Sequence, residues 1–414
     1  MDHRRVELGL RSETIRRANL STIVRALHVD GPLSRSELGT RTGLTRSGIR
    51  VLIGELTMSG LVEERSGQLL GMPGRPSTLV RLRSERAVVL AMEIAVDYLA
   101  AAVVGLGGKV LRSARIDRSR GGVSVDETID ELARLARGIA AFDEPAQADE
   151  HLVGVAIAFC GIVRRADGVV IMAPNLGWWD VPLGRIVGEK LGTAHDVLVA
   201  NEADLGALAE HRRGVGAAVD DLLFISGEVG VGGGIILDGR PLTGAFGYGG
   251  EIGHLPLNPA GARCGCGSDG CWETEVGEHA LLARAGLPVE GGRGAIDELL
   301  RRAANRDAEA LAAFEHVGTW LGRGIAGLVN VLNPRLVIVG GLYVRIYSYI
   351  EEPMQREVGR LALRPSSAVV SIVPSALGVD APLLGAAELA FEQLLDDPTS
   401  VSETGFITEW RVVA

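Results

Sequence analysis

Three segments at the start of the chain carry apolar residues at helical spacing. The first spans residues 11–28, and the second follows Ser34, which with Glu37 three positions later has the pattern of a capping box. Gly43 provides a short turn, and Thr45 is the expected N-cap of a third helix. The apolar positions of that helix are Ile49, Leu52, Ile53 and Leu56. Three helices with a short glycine-containing turn before the last predict a helix-turn-helix.

Two strand-like segments follow the third helix and predict a wing. They lie at residues 61–64 and 78–82, on either side of a loop rich in Gly and Pro at 71–76. In a winged helix-turn-helix, the first residues of the third helix read the major groove, and a basic loop can reach the minor groove or phosphates. The expected DNA-contacting residues are Thr45, Arg46, Ser47, Arg50 and, in the wing, Arg75. The alternative is a module that binds protein, with these arginines as a solvated surface.

The charge distribution favours nucleic-acid binding by this segment alone. The chain has a net charge of −10, but residues 1–86 contain 15 arginines and nine acidic residues, a net charge of +6, which leaves −16 for the remainder. A basic segment on an acidic body favours a polyanionic partner for that segment. No apolar run reaches the roughly 20 residues that span a bilayer, and the charged N-terminus is not typical of a secretory signal. We therefore expect a cytoplasmic protein without membrane contact.

From about residue 87 the pattern changes to apolar strands separated by helices. Strands are predicted at 88–94, 99–104, 153–158, 197–200 and 222–226, with a helix at 125–141. This alternation predicts an α/β fold. Asn201 and Glu202 follow the fourth of these strands, where open α/β sheets bind ligands. A glycine-rich turn at 227–234 follows the fifth and can present backbone N–H groups to phosphate, although glycines also serve tight strand connections.

Three of the four cysteines lie close together and suggest a metal site. They are Cys264, Cys266 and Cys271, and His254 precedes them by ten residues. One His and three Cys form the ligand set of a closed tetrahedral zinc site, so zinc is predicted as a structural cofactor. Such a site leaves no coordination position open for catalysis. Cys160 stands apart and is expected in the core or in a pocket wall.

The chain resembles the ROK family, which contains sugar kinases and repressors that share a kinase-like fold. The resemblance is carried by Gly-Glu-Ile-Gly-His at 250–254, Cys-x-Cys-Gly-x-x-Gly-Cys-x-Glu at 264–273, Ala-Pro-Asn-Leu at 173–176, Asn201 and Gly340-Gly341. It implies an actin-like ATPase fold of two lobes with sugar in the cleft between them. The expected domains are the winged helix-turn-helix at 1–85, an N-terminal lobe at 86–200 completed by 380–392, a C-terminal lobe with the zinc loop at 201–379, and a tail at 393–414.

The resemblance also implies a sugar site. In sugar-binding members of the family, sugar hydroxyls are contacted by the positions that match Asn201, Glu202, Glu251, His254 and Glu273. Carboxylates and amides suit this task because they bind adjacent hydroxyls and discriminate against analogues that lack them. The zinc loop would then hold His254 and Glu273 in position.

Three departures from the kinase pattern predict that phosphoryl transfer has been lost. The family kinases have an Asp base after the Asn, where this chain has Glu202, and a displacement of about 1 Å can cost about 100-fold in rate. Their first phosphate loop, Asp-x-Gly-Gly-Thr, reads Glu-Ile-Ala-Val-Asp at 93–97, so both glycines are absent and Asp97 replaces a hydroxyl. The second phosphate loop has Glu228 in place of Thr. We therefore expect no catalytic residue.

These features predict a sugar-responsive transcriptional regulator, a repressor that binds double-stranded operator DNA and senses a sugar in a degenerate kinase cleft. Helix-turn-helix proteins usually bind paired half-sites as dimers, so a homodimer or homotetramer is expected. The alternative is an active ATP-dependent sugar kinase with a regulatory DNA-binding N-terminus. In a third hypothesis a protein partner, such as a sugar-transport component, supplies the signal.

Overall fold

The computed structural model describes residues 12–66, 78–121, 124–140 and 150–400. Its N-terminal module contains the three predicted helices and both predicted strands, together with a two-residue strand that the sequence pattern did not indicate. The elements are α1 (Ser12–Asp30), β1 (Leu33–Ser34), α2 (Arg35–Thr42), α3 (Arg46–Met58), β2 (Val62–Ser66) and β3 (Thr78–Leu82). The predicted wing loop at 71–76, including Arg75, lies outside the described residues.

Local capping determines where the helices of this module begin and end. The N–H of Glu37 donates to Ser34 Oγ at 3.2 Å, and the N–H of Ser34 donates to the Glu37 carboxylate at 2.7 Å, so the predicted capping box is present. Thr45 Oγ1 caps α3 by accepting from the N–H of Gly48 at 3.2 Å. Gly43 ends α2 with φ of 70°, a left-handed conformation that favours glycine. With β3 between β1 and β2 in an antiparallel sheet, the module is a winged helix-turn-helix, as predicted.

The first lobe is built on a five-stranded sheet in the order β11-β7-β4-β5-β6. A three-stranded antiparallel sheet, in the order β10-β9-β8, is formed by the part of the chain between β7 and β11. The elements of this part are β4 (Ala87–Ile94), β5 (Tyr98–Gly105), β6 (Lys109–Asp117), α4 (Val125–Ile139), β7 (His151–Phe159), β8 (Ile162–Arg164), β9 (Val169–Ala173), β10 (Trp178–Val181), α5 (Leu183–Leu191), β11 (Val197–Asn201) and α6 (Glu202–Arg213).

The second lobe is built on a five-stranded sheet in the order β14-β13-β12-β15-β16. Its elements are β12 (Leu222–Gly227), β13 (Val231–Leu237), β14 (Arg240–Pro241), α7 (Glu273–Val276), α8 (Glu278–Arg284), α9 (Gly292–Ala304), α10 (Ala308–Leu332), β15 (Leu336–Gly341), α11 (Leu342–Leu361), α12 (Arg364–Ser367) and β16 (Ser371–Pro374), with short 3₁₀ turns at Ile252–His254, Val289–Gly291 and Gly378–Asp380. The chain then returns to the first lobe with α13 (Ala381–Asp396), which a 3₁₀ turn at Pro398–Ser400 follows. None of the helices in the described ranges is both long enough and apolar enough to cross a membrane.

The two large sheets have the same topology. In each, three antiparallel strands (β4 to β6, or β12 to β14) are followed by two parallel strands, β7 and β11 or β15 and β16, on the other side of the first strand. The duplicated arrangement agrees with the predicted two-lobed, kinase-like α/β fold. The two turns expected to hold phosphate, after β4 and after β12, therefore occupy equivalent positions in the two lobes.

The last helix connects the lobes with the N-terminal module. α13 packs on β4 and β7, and it passes so close to α6 that a Cβ at Gly385 would lie 1.9 Å from the carbonyl oxygen of Leu205. Phe391, Leu394 and Leu395 of α13 belong to the same hydrophobic core as the buried residues of α1. Because Leu394 and Leu395 are buried, the helix continues to Asp396, beyond residue 393 where the tail was expected to begin.

The predicted glycine-rich turn at 227–234 is wrong for its second half. Only residues 228–230 connect the strands, and Gly232, Gly233 and Gly234 lie within β13. A Cβ at Gly234 would lie 2.3 Å from the carbonyl oxygen of Ala203, and one at Gly233 would lie 2.5 Å from the Ile252 side chain. These glycines therefore allow close packing of β13 against α6 and the loop that precedes Ile252.

Candidate functional site

A cavity of about 450 Å³ lies between the lobes, and all five predicted sugar-binding residues line it. These residues are Asn201, Glu202, Glu251, His254 and Glu273. The volume falls within the roughly 300–1,000 Å³ of small-molecule sites. Cys160 also lines the cavity, in agreement with one of the two places expected for it. The structure thus brings together the five predicted sugar-binding residues, which span 72 positions from Asn201 to Glu273.

Asn201 and Glu202 lie where β11 passes into α6, because the Asn201 side chain caps that helix. Asn201 Oδ1 accepts from the N–H groups of Ala203 and Asp204 at 2.8 and 3.3 Å. Asn201 Nδ2 donates to Glu202 Oε2 at 2.9 Å. Burial, with the negative charge of Glu251, raises the pKa of Glu202 well above its usual range, which favours the protonated carboxyl. A protonated Glu202 is a weak base and a good hydrogen-bond donor.

Glu251 and His254 are placed by the sharp turn that precedes the 3₁₀ segment. Gly250 has φ of 93°, and a Cβ there would lie 2.5 Å from the carbonyl oxygen of Gly233, so the close approach to β13 favours glycine. Glu251 Oε2 lies 4.0 Å from His254 Nε2, and Glu273 Oε1 lies 3.6 Å from His254 Nδ1. Burial raises the pKa of Glu251. The three side chains thus form one polar group on the wall of the second lobe.

The four predicted zinc ligands are grouped around a common point. The ligand atoms of His254, Cys264, Cys266 and Cys271 all lie within 4.8 Å of one another. His254 Nδ1 is 3.6 Å from Cys264 Sγ, and Cys266 Sγ is 3.6 Å from Cys271 Sγ. Two sulfur ligands at about 2.3 Å from a tetrahedral ion would be about 3.8 Å apart, so the donor set and its spacing fit zinc.

His254 can belong to both groups because its two ring nitrogens face different partners. Nδ1 faces Cys264 in the cysteine cluster, and Nε2 is the ring nitrogen nearer to the Glu251 carboxylate. A metal-bound histidine retains its second nitrogen for a hydrogen bond. Cys264 Sγ also lies 2.8 Å from Glu273 Oε1, so the cysteine cluster contacts both His254 and Glu273.

The side of the cleft with the two phosphate loops contains an interlobe ion pair. Arg120 follows β6 in the first lobe; its Nη2 lies 3.1 Å from Asp97 Oδ2, and its Nη1 lies 2.5 Å from Glu278 Oε1 on α8 of the second lobe. The Arg120 side chain is only 10% exposed. Asp97, Arg120 and His279 line a second cavity of about 800 Å³ that adjoins the first. Asp97, which replaces a hydroxyl of the kinase phosphate loop, is therefore paired within the protein.

Two further carboxyls on this side are buried. Tyr98 Oη donates to Glu93 Oε1 at 2.5 Å, and burial raises the pKa of Glu93 to about 8. Burial, together with the negative charge of Asp97, raises the pKa of Glu228 to about 7. Near neutral pH Glu93 is mostly protonated and Glu228 is partly protonated. The negative charge at the phosphate loops is therefore smaller than the sequence alone indicated.

The predicted DNA-contacting residues of α3 form an exposed surface at its N-terminus. Thr45, Arg46, Ser47 and Arg50 are all exposed. Other arginines of the module have carboxylate partners: Arg16 pairs with Glu55, Arg35 with Glu64, and Arg41 with Asp30. Within the part of the chain that the structure describes, Arg46 and Arg50 form no ion pair. Their guanidinium groups are thus available to an external anion.

Several cavity residues were not predicted from the sequence. Asn175 and His279 line both cavities, and Arg120 bridges the lobes. Asn175 lies in the Ala-Pro-Asn-Leu motif, which could have indicated it. Arg120 and His279 lie in no motif, so only the folded chain reveals them.

Two lobes of equal topology with a polar cleft, a His-Cys₃ cluster beside it and an N-terminal winged helix define a kinase-like ligand-binding protein with a DNA-binding module. The ROK family model matches residues 89–393. The xylose repressor of Bacillus subtilis (strain 168) is 25% identical over 384 residues, which cover 92% of this chain and 97% of the repressor. The chain belongs to the ROK family.

Two solved structures show the same similarity in three dimensions. A ROK family transcriptional regulator, a homolog of the E. coli MLC protein, has a TM-score of 0.75 and 28% identity, with 93% of this chain and 97% of that chain covered. A ROK family glucokinase from Streptomyces griseus, in complex with glucose and AMPPNP, has a TM-score of 0.63 and 27% identity, with 73% of this chain and 99% of that chain covered.

Proposed function

We propose that the protein is a sugar-responsive transcriptional repressor that binds operator DNA through α3 and a sugar through the interlobe cleft. One observation carries the proposal: its similarity to repressor-type proteins extends over 92–93% of the chain, which requires the DNA-binding module to be included. The similarity to the glucokinase is confined to 73% of the chain, although it covers nearly all of that enzyme.

The DNA-binding surface is Thr45, Arg46, Ser47 and Arg50, with Arg75 of the wing as a further contact. The guanidinium groups of Arg46 and Arg50, which form no ion pair with any described residue, support this assignment, since arginine binds guanine edges and phosphates through paired N–H groups. A homodimer or homotetramer would present two such surfaces to paired half-sites. Light scattering of the purified protein would measure its oligomeric state, and a monomer at concentrations that saturate DNA would contradict this part of the proposal.

The test uses a DNA duplex selected from a random library by the full-length protein. At fixed salt, Arg46→Ala and Arg50→Ala should each weaken binding by about 1–3 kcal/mol, roughly 5- to 150-fold. Arg16→Ala is the matched control, because Arg16 is also an exposed arginine of the module but is paired with Glu55. Equal losses in all three variants would indicate a general charge effect and contradict recognition by α3. In the same assay a panel of simple sugars that includes D-xylose and D-glucose is added. If none of them alters the affinity for the DNA duplex, the regulatory role is contradicted.

In the cleft, Asn201, Glu202, Glu251, His254 and Glu273 would bind sugar hydroxyls, with zinc bound by His254, Cys264, Cys266 and Cys271. The support is their position around one cavity and the contact of the cysteine cluster with Glu273. The metal would serve as a structural brace, since four protein ligands complete a tetrahedral site.

We also propose that the cleft no longer phosphorylates sugar. The raised pKa of Glu202 disfavours the ionised form that a general base requires, and Arg120 joins Asp97 to Glu278 beside the phosphate loops. The similarity to a glucokinase favours the alternative of an active kinase. Incubation with ATP, magnesium and a sugar panel distinguishes them: sugar phosphate that forms with the wild type and disappears with Glu202→Gln would establish the kinase.

A further inference from the structure

A buried cluster of charged side chains joins α1 of the DNA-binding module to two helices of the lobes, α6 and α13. His28 ends the buried face of α1, Glu388 lies on α13, and Arg213 is the last residue of α6. His28 and Glu388 are fully buried and Arg213 is only 15% exposed. Glu388 Oε2 lies 3.1 Å from His28 Nε2, and Arg213 Nε donates to Glu388 Oε1. Arg213 Nη1 also donates to the carbonyl oxygen of Gly107 at 2.8 Å.

Both ring nitrogens of His28 have close polar partners, which hold the orientation of the ring. The N–H of Gly107, in the turn between β5 and β6, donates to His28 Nδ1 at 2.9 Å. His28 Nε2 lies 3.1 Å from Glu388 Oε2 and 2.6 Å from Arg213 Nη2, so the ring contacts both charged partners. Burial disfavours the Glu388 carboxylate, but His28 and Arg213 outweigh this effect and lower its pKa to about 2. One residue of the module is thus held by an ionised carboxylate that Arg213 stabilises.

The fit around Arg213 is close. Gly108 has φ of 80°, and a Cβ there would lie 2.1 Å from Arg213 Cζ, so a side chain at this turn would displace the guanidinium. A second set of ion pairs continues along the contact of α1 with α13: Arg25 with Glu392 at 2.7 Å and with Asp396 at 2.6 Å. The module is therefore held in one orientation by charged contacts as well as by the shared apolar core.

The other end of α6 lies in the ligand cleft. Asn201 caps the helix and Glu202 is its first residue, and both line the 450 Å³ cavity. The helix spans 12 residues, which corresponds to about 18 Å. Residues from Ala203 to Glu210 are all buried, between β12 and β13 on one side and α13 on the other. A buried helix packed on all sides moves as a rigid unit, so a displacement at its first turn reaches Arg213 at its last.

We propose that Arg213 is a positioning residue that couples the ligand cleft to the DNA-binding module, with α6 as the connecting element and the Arg213–Glu388–His28 cluster as the contact that transmits its movement. The inference rests on the proposed sugar-responsive function. A ligand that binds the hydroxyl-contacting residues at the start of α6 shifts this helix relative to α13, and the cluster converts the shift into a new orientation of α1. Coupling then requires the cluster, whereas sugar binding itself does not.

The experiment compares Arg213→Met with Arg302→Met in the full-length protein. Arg302 is a matched control, because it is 18% exposed and pairs with two carboxylates of the second lobe, Asp307 and Glu309. Calorimetry with D-xylose and D-glucose measures the sugar dissociation constant. Binding of the selected DNA duplex, with and without sugar at fixed salt, gives the ratio of the two DNA dissociation constants. Arg213→Met with Glu388→Gln is a second variant that leaves no unpaired buried charge if the single variant fails to fold.

We expect Arg213→Met to retain the sugar dissociation constant within about threefold and to reduce the sugar-dependent ratio at least about fivefold toward unity. Arg302→Met should retain both. A ratio unchanged by Arg213→Met, or by the double variant, would overturn the coupling role while the proposed function stands. A wild-type protein whose DNA binding responds to no sugar would instead contradict the proposed function, and this inference with it.

Discussion

The interlobe cleft has a sugar half, around Glu202, Glu251 and Glu273, and a phosphate-loop half, around Glu93, Asp97 and Glu228. The two halves differ in how far the protein itself satisfies their side chains. In the sugar half, the Glu251 carboxylate accepts no hydrogen bond from any described residue, and it lines an open cavity. In the phosphate-loop half, Asp97 and Glu278 bind Arg120, and Glu93 accepts from Tyr98. The sugar half therefore leaves one carboxylate to a ligand, whereas Asp97, Glu278 and Glu93 of the other half have partners within the protein.

The difference shows how a two-ligand cleft can keep one ligand and lose the other. A ligand must compete with whatever already satisfies a buried polar group. The ion pairs of Arg120, whose side chain is only 10% exposed, are strong competitors. The proposed loss of the nucleotide therefore depends on new internal partners as well as on missing glycines. The predictions below test this contrast, from the largest expected effect to the smallest.

Removal of the metal should abolish the ordered state of the sugar half. Cys271→Ser is expected to reduce bound zinc from about one ion per chain to nearly none and to weaken sugar binding by about 10- to 100-fold, because the cluster contacts Glu273 and His254. Metal analysis and calorimetry measure these changes. Cys160→Ser is the control, and full zinc content in Cys271→Ser would show that the cluster is not the metal site.

Loss of a single carboxyl should distinguish the two halves. Methionine has a length similar to that of glutamate but makes no strong hydrogen bond. Glu251→Met should weaken sugar binding by about 1–2 kcal/mol, roughly 5- to 30-fold, whereas Glu228→Met should change it by less than about threefold. Equal losses in calorimetric titrations of the two variants would remove the distinction between the halves.

The phosphate-loop half should make stability depend on pH. The pKa values of Glu93 and Glu228 rise from 4.5 to about 8 and about 7 on folding. Their contribution is fully present below pH 4.5 and is lost as the pH rises through these folded values, because the folded state then must release protons that it binds more tightly. Glu93→Gln should remove on the order of 2 kcal/mol of this decline between pH 5 and 8, measured by urea unfolding. A decline as steep as in the wild type would contradict the burial of Glu93.

The smallest effect is expected for the interlobe ion pair. Glu278→Gln should lower the free energy of unfolding by about 1 kcal/mol, because Arg120 retains Asp97, and it should leave the sugar affinity nearly unchanged. Glu309→Gln, which removes an exposed partner of Arg302, should produce no measurable change. A large loss of sugar affinity in Glu278→Gln would show that the two halves depend on each other.

Local sequence patterns predicted the winged helix and five strands of the lobes because their causes are local. The capping box at Ser34 and the alternation of apolar segments with helices depend on residues a few positions apart. β6 was missed because it is an edge strand whose residues are mostly half-buried or exposed, so it lacks the apolar run of its neighbours. The glycines of β13 were assigned to a turn because their packing partners, on α6 and before Ile252, are distant in sequence.

In the site, too, residues within local motifs were predicted, and contacts between distant parts of the chain were missed. The five positions expected to contact sugar were named from family motifs, and the cavity gathers them, but Arg120 and its partner Glu278 are 158 positions apart and carry no motif. The contact of His28 with Glu388 spans 360 positions. Such pairs become visible only when the chain is folded, because neither member has a local pattern that indicates its partner.

The apolar core that joins α1 to α13 has a consequence for how such regulators can be recombined. One hydrophobic core contains Leu20, Val24 and Leu27 of α1 together with Phe391 and Leu394 of α13. A chimera cut near residue 85 would separate surfaces that were shaped for each other, and its parts would each expose part of a hydrophobic interior. Exchange of DNA specificity is therefore best attempted by grafting the exposed residues of α3 alone. The shared core then stays intact, and the protein should still unfold in one cooperative transition.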